Sequence, residues 1–178
     1  ILMHGPDTVA AFIGEPISQP PGAPVPAPEY WPMIREICDK HGILLIADEV
    51  VTGFRASPGG AQVRYGITPD LTTFAKIVAG GLPGGAVGGK AEIINMIAQR
   101  GDPTWDNTHR VYHPGTFNAN PLSAVAGATA LEMIASQPIN QQADAMAIRL
   151  KTGINELFGK MEVPGHAHGI ASMIHVVM

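Results

Sequence analysis

Two short apolar runs in this chain each end abruptly in charge. Residues 43–47 carry no polar side chain and run straight into Asp48 and Glu49, and residues 71–75, apolar but for Thr72 and Thr73, likewise end in charge at Lys76. Runs that do not alternate with polar residues suit strands covered on both faces, as in parallel sheets flanked by helices. Residues 9–13 form a third run of strand type, closed by Gly14-Glu15-Pro16. Between residues 9–13 and 43–47, after a loop rich in Pro and Gly at residues 19–28, Tyr30, Ile34, Ile37, Cys38 and His41 recur at helical spacing, with Gly42 as the stop. This strand–helix alternation predicts an α/β fold built on a parallel sheet up to about residue 135.

The later segments are of a different kind. A Gly-rich stretch leads to a helix expected at residues 91–100, followed by a polar, irregular excursion at residues 101–113. Asn120-Pro121 is a good cap and first-turn pair for a helix running to about Ala135. Ser136 to Pro138 opens a long helix, with Ala143, Met146, Leu150, Ile154 and Leu157 on its expected apolar face, and residues 170–177 read as a β-branched strand. Residues 1–136 are therefore expected to form part of one large domain, and residues 137–178 the start of a smaller one. The first residue, Ile1, and the abrupt stop of the last strand lead to the expectation that the chain is part of a longer one.

Composition narrows the function classes. Eleven Lys and Arg against 15 Asp and Glu give a net charge of −4. Without a basic cluster, nothing electrostatic calls for a nucleic-acid surface. No apolar run reaches the roughly 18–20 residues of a membrane span. The single cysteine, Cys38, cannot form an internal disulfide, which fits a reducing, cytoplasmic setting.

Lys76 is the only charged residue between Leu71 and Gly89. A lysine in such surroundings is expected to be desolvated, which frees its amine as a nucleophile; the plainer alternative is a lysine snorkelling from a strand edge. Its place at the carboxyl end of a strand is where open α/β sheets put their ligands. Asp48 ends the neighbouring run at the same edge. A buried carboxylate there needs a donor or a charged partner, and the alternative is a helix cap or a solvated strand end. Glu49 beside it is expected to be the more exposed of the two. An amine and a carboxylate on two strand ends suit pyridoxal phosphate, whose aldehyde takes the lysine and whose pyridinium nitrogen takes the aspartate.

Other motifs carry less. Residues 84–90 match the core spacing of a phosphate loop, but Ala91 stands where the metal-binding hydroxyl belongs. The glycines there read instead as a tight backbone path close to a ligand. The run from His113 to Pro121, with Thr116 inside it, ends at a helix start that could meet a phosphate, or is an ordinary capped loop. His166 and His168 lack a matched ligand set and read as a surface or loop pair.

The segments Ile46-Ala47-Asp48-Glu49-Val50-Val51-Thr52-Gly53-Phe54-Arg55, Pro69-Asp70-Leu71-Thr72-Thr73-Phe74-Ala75-Lys76, Gly80-Gly81-Leu82-Pro83 and Gly115-Thr116-Phe117 with Asn120-Pro121 resemble, in order and over nearly the whole chain, the class III pyridoxal-phosphate aminotransferases. Within that class, Thr52-Gly53-Phe54-Arg55 and Gly59-Gly60-Ala61-Gln62 look closest to the glutamate-1-semialdehyde aminomutase group. The resemblance implies a fold-type-I architecture: part of a large, parallel-rich α/β/α cofactor domain, then the start of a small C-terminal α+β domain. It implies pyridoxal 5′-phosphate as cofactor, a small-molecule amino donor and a carbonyl acceptor as substrates, and a homodimer. Lys76 would bind the cofactor as an imine and shuttle the proton, Asp48 would hold the ring nitrogen protonated, and Val50 would pack on the ring. Thr116 would bind the phosphate of the neighbouring subunit's cofactor, and Glu15 would lie near cofactor or substrate. Amine transfer between two molecules is the reaction expected; intramolecular transfer, as in the aminomutases, is the alternative within enzymes. A fragment that only folds or associates is the alternative of another class, and this chain by itself is expected to bind the cofactor weakly.

Overall fold

Four short strands in the order of the chain make the main sheet of the computed structural model, which describes all residues except Gln19, Pro20, Pro21 and Ala23. The expected loop at residues 19–28 therefore lies partly outside the described residues. Strand β1 (Ala11–Gly14) leads through that loop to helix α1 (Tyr30–His41), which Gly42 ends in a left-handed cap as its position suggests. Strand β2 (Leu44–Glu49) pairs in parallel with β1, Gly14 standing opposite Ala47. A turn and helix α2 (Gly60–Tyr65), absent from the sequence reading, lead to strand β3 (Leu71–Ala75), parallel to β2 with Asp48 opposite Thr73.

The Gly-rich stretch is a strand. β4 (Gly85–Gly89) pairs antiparallel with β3, so the parallel-rich sheet is mixed at this edge. Its glycines serve close packing: a Cβ on Gly85 or Gly89 would fall 2.9 Å from Phe74 O and 2.3 Å from Asp70 O. The phosphate-loop spacing is thus an edge strand, and Lys90 at its end pairs with Asp70 at 2.7 Å.

Beyond β4 the expected helix over residues 91–100 is cut short. Helix α3 (Ala91–Ile94) tightens into a 3-10 turn, Asn95–Ile97, and Ala98 is extended. The excursion contains helix α4 (Pro103–Thr108), capped by Asp102. Asp106 accepts from the Arg100 and Gly101 N–H groups, so local carboxylates outbid the continuing helix for backbone donors. Helix α5 (Pro121–Ser136) starts as expected, Asn120 Oδ1 accepting from Leu122 and Ser123 N–H. The long helix α6 (Ile139–Met161) buries Ala147, whereas Met146, Leu150 and Leu157 of the expected apolar face are more than half exposed. Strands β5 (His166–His168) and β6 (His175–Val177) form a separate antiparallel pair. The expected strand over residues 170–177 is shortened because left-handed Ala171 turns the chain back. His166 and His168 lie on β5, the His168 ring stacked beside that of His175.

The core lies where α1 meets the sheet. Trp31, Cys38, Ile43, Leu45 and Ile67 pack together, and Trp31 donates to Pro16 O. On β2, Leu45, Ala47 and Glu49 are buried while Leu44, Ile46 and Asp48 are half-buried. The run is therefore fully covered on one face and partly on the other.

Candidate active site

Chain direction puts the ends of β1, β2 and β3 at one edge of the sheet, and the register decides what meets there. Asp48, at the penultimate position of β2, stands opposite Thr73, and Lys76 follows three residues beyond Thr73. Glu15 follows Gly14, the partner of Ala47, so it stands level with Asp48 on the far side. The carboxyl edge thus brings Glu15, Asp48 and Lys76 onto three adjacent strands.

Lys76 has φ 54°, a left-handed backbone that a residue with a Cβ adopts at a cost. It opens a 3-10 turn, Lys76–Ala79, ended by left-handed Gly80. The turn lies backbone to backbone on α5: a Cβ on Gly127 would fall 2.2 Å from Val78 O, and one on Gly80 would fall 2.3 Å from Ala126 O. The Lys76 side chain is exposed, contrary to the desolvation expected from its apolar neighbours. The left-handed turn takes it out of the extended path that would have kept it between the layers.

Asp48 is half-buried, and one of its two oxygens is already used. Oδ1 accepts from the Val50 N–H at 3.0 Å and from Thr73 Oγ1 at 3.3 Å. Oδ2 has no donor among the described residues. A carboxylate held by one oxygen, with the other free at a strand edge, can accept from a protonated ring nitrogen. That geometry fits pyridoxal phosphate, and an exposed primary amine three residues past the facing position fits its aldehyde. Val50 is half-buried beside Asp48, as is Glu15 in its turn.

Glu49 reverses the expectation made for it. It is fully buried, while Asp48 is not. Its carboxylate accepts from Thr52 Oγ1, from the Ala61 N–H at 3.0 Å and from the Gln62 N–H at 2.7 Å. The sequence offered one signal that was not used: glycines at 53, 59 and 60, which allow a chain to close tightly around a carboxylate.

Thr116 stands apart. It is exposed, in the turn before α5, and no hydrogen bond ties it to Asp48 or Lys76 among the described residues. Nearby, Asn118 donates to His113 O at 3.1 Å. A groove of about 790 Å³ runs between this loop and the Lys76 turn, lined by Val78, Ala79, Leu82, His113, Phe117 and Asn118 among others. It borders the turn without including Lys76 or Asp48. No group of three or more His, Cys, Asp or Glu suited to a metal ion occurs among the described residues, nor any helix long and apolar enough to cross a membrane.

Known proteins match this arrangement along almost its whole length. The family model for aminotransferase class-III matches residues 2–178. A glutamate-1-semialdehyde 2,1-aminomutase 2 of Brevibacillus brevis is 42% identical over 94% of the chain and 37% of its own length. A glutamate-1-semialdehyde 2,1-aminomutase of Methanococcoides burtonii is 38% identical over 99% of the chain and 40% of its own. Among solved structures, an omega-transaminase from Sphaerobacter thermophilus superposes with a TM-score of 0.86 at 36% identity, over 98% of this chain and 38% of that one. A transaminase with PLP bound gives 0.84 at 26% identity, over 99% of this chain and 40% of that one. The chain thus spans about two fifths of the length of these relatives. The superpositions also bear out the expected fold-type-I α/β architecture.

Proposed function

We propose, for a chain that belongs to the aminotransferase class-III family, that its sheet edge is the cofactor site of a pyridoxal-phosphate aminotransferase moving an amino group between an amine or amino acid and a carbonyl acceptor. The observation that carries this reading is Asp48, one oxygen pinned by Val50 and Thr73 and the other available, at the same edge as a lysine in a left-handed backbone. When bound, pyridoxal phosphate supplies an electron sink that stabilises charge left at the substrate's α-carbon.

The roles of the chain's own groups follow from their chemistry. Lys76 Nζ is the amine that holds the cofactor by its aldehyde and, once released by substrate, takes and returns a proton at Nζ. Asp48 Oδ2 accepts from the ring N–H and keeps the proton there. Val50 covers one ring face and excludes water. Thr116, exposed and not hydrogen-bonded to Asp48 in one copy, suits the phosphate bound in a second copy, so the working form is a homodimer. Glu15 lies near the cofactor or substrate. On this reading residues 1–136 belong to the cofactor-binding domain and residues 137–178 begin the small one. The lone, buried Cys38 suits a reducing cytoplasm.

The aminomutase reaction is the second reading, favoured by the names and identities of the two curated relatives. The full-length protein, given a ¹⁵N-labelled amino donor and a keto acid, is expected to pass label to the acceptor. Label that never leaves its own carbon skeleton would establish the mutase instead. Lys76→Ala should abolish turnover and the lysine–cofactor adduct fixed by borohydride. An alanine variant that still forms that adduct in the site would refute the assignment.

A further inference from the structure

Glu49 is a buried carboxylate that the chemistry proposed above does not use. Four hydrogen bonds converge on this residue: three on its side chain, and the Gly53 N–H on its carbonyl at 2.9 Å. Gly60 has φ 76°, and a Cβ there would lie 2.6 Å from Glu49 Oε1, so the chain at that point passes too close for any side chain. Residues 49–62 are thereby closed around one carboxylate. The first residue after Glu49 is Val50, whose N–H is one of the two donors holding Asp48 Oδ1.

Resting on the reading of Asp48 given above, we propose that Glu49 is a positioning residue: by closing the turn from Thr52 to Gln62 it fixes the Val50 N–H on Asp48 Oδ1 and leaves Oδ2 for the cofactor's ring nitrogen. The other donor, Thr73 Oγ1, comes from β3 and does not depend on Glu49. Loss of Glu49 therefore weakens the hold on Asp48 without abolishing it. A glutamine cannot replace it, because its NH₂ group would face a backbone N–H at either Ala61 or Gln62. One hydrogen bond to a charged group corresponds to roughly ten- to a hundredfold in rate.

The test uses the full-length protein loaded with pyridoxal phosphate and follows the pH midpoint of the bound cofactor's visible absorbance. Asp48→Asn, Glu49→Gln, the double variant and Thr52→Val are compared, with kcat and KM measured separately. A less firmly held Asp48 supports a protonated cofactor less well. The midpoint is therefore expected to move in Asp48→Asn, and by smaller steps in the same direction in Glu49→Gln and Thr52→Val. In Glu49→Gln kcat should drop roughly ten- to a hundredfold, with KM within about twofold. In the Asp48→Asn background Glu49→Gln should add nothing, because residues acting through one another are not additive.

A folded Glu49→Gln variant with the wild-type midpoint and kcat overturns the inference. So do effects that add fully in the double variant, which mark a purely structural or direct charge effect. Should Glu49→Gln yield no folded protein, Thr52→Val decides. It retains both amide bonds to Glu49, and a wild-type midpoint there overturns the proposal. A silent Asp48→Asn is a separate outcome: it removes the reading of Asp48, and this inference with it.

Discussion

Acid should loosen the sheet from the edge opposite Lys76, through Asp70. This residue precedes β3, and its side chain is only 4% exposed. Its carboxylate accepts from the Leu45 N–H at 2.7 Å, from Arg35 Nη1 at 2.9 Å and from Lys90 Nζ at 2.7 Å, which joins α1, β2 and the end of β4. Burial alone would raise its pKa; the Leu45 N–H, the Lys90 ammonium and the Arg35 guanidinium outweigh burial and hold it at about 2, below the ordinary 3.8. A group depressed in the folded state adds stability above its unfolded pKa and loses it as pH falls toward the folded one. Ionised Asp70 therefore contributes about 2 kcal/mol above about pH 5, and this disappears as pH approaches 2. Asp70→Asn keeps the shape but cannot titrate, and it leaves Lys90 without its counter-charge and Arg35 with Asp39 alone. Urea unfolding of both proteins between about pH 6 and pH 2 should show the variant less stable at pH 6, with the gap closing by about 2 kcal/mol at the acid end. The protection factor of the Leu45 amide, its exchange rate measured against the intrinsic rate at each pH, should fall over the same range. Stability curves that stay parallel would refute the reasoning, since they would mean that Asp70 binds its proton equally in folded and unfolded chains.

Asp48→Asn should keep cofactor bound but cost several orders of magnitude in rate, because asparagine cannot hold the ring nitrogen protonated; steady-state rates within about tenfold of wild type, ~1.4 kcal/mol, would make Asp48 a strand-end residue only. Gly127→Ala puts a methyl group 2.2 Å from Val78 O and should destabilise by about 1–3 kcal/mol in urea unfolding, as overpacking does. The same change should lower activity by displacing the Lys76 turn, and an unchanged protein would show that α5 moves aside freely. Thr116 is exposed, so Thr116→Val should leave unfolding stability within about 0.5 kcal/mol and weaken cofactor affinity by about tenfold, read by equilibrium dialysis.

The sequence made the parallel strands visible because their runs carry no charge until they end in it; Asp48 and Lys76 were found at the edge where the run pattern put them. Helix α5 was readable for a local reason, since Asn120 caps it within three residues. What stayed hidden depends on partners far along the chain. The glycines of β4 are a strand only because β3 lies beside them, and a Gly-rich run has no period of its own. Glu49 looked like a second strand-end carboxylate, and its burial rests on amides 12 and 13 residues away. Lys76 is exposed because its backbone turns left-handed, a choice invisible in the apolar letters on either side. On α6, Met146 and Leu150 have the right spacing for a buried face, but β5 packs over the side that presents Lys151 and Asn155.

Strand β3 separates two tasks by its length. Asp70 stands just before it and Lys76 just after it, six steps of roughly 3.3 Å, or about 20 Å in all. Two unit charges that far apart interact by only about 0.2 kcal/mol in water, and salt screens the exposed one further. Proton uptake at one end is therefore electrostatically silent at the other. The strand works as an insulating spacer, so acid tolerance could be raised or lowered at Arg35, Asp70 and Lys90 without retuning the amine at Lys76.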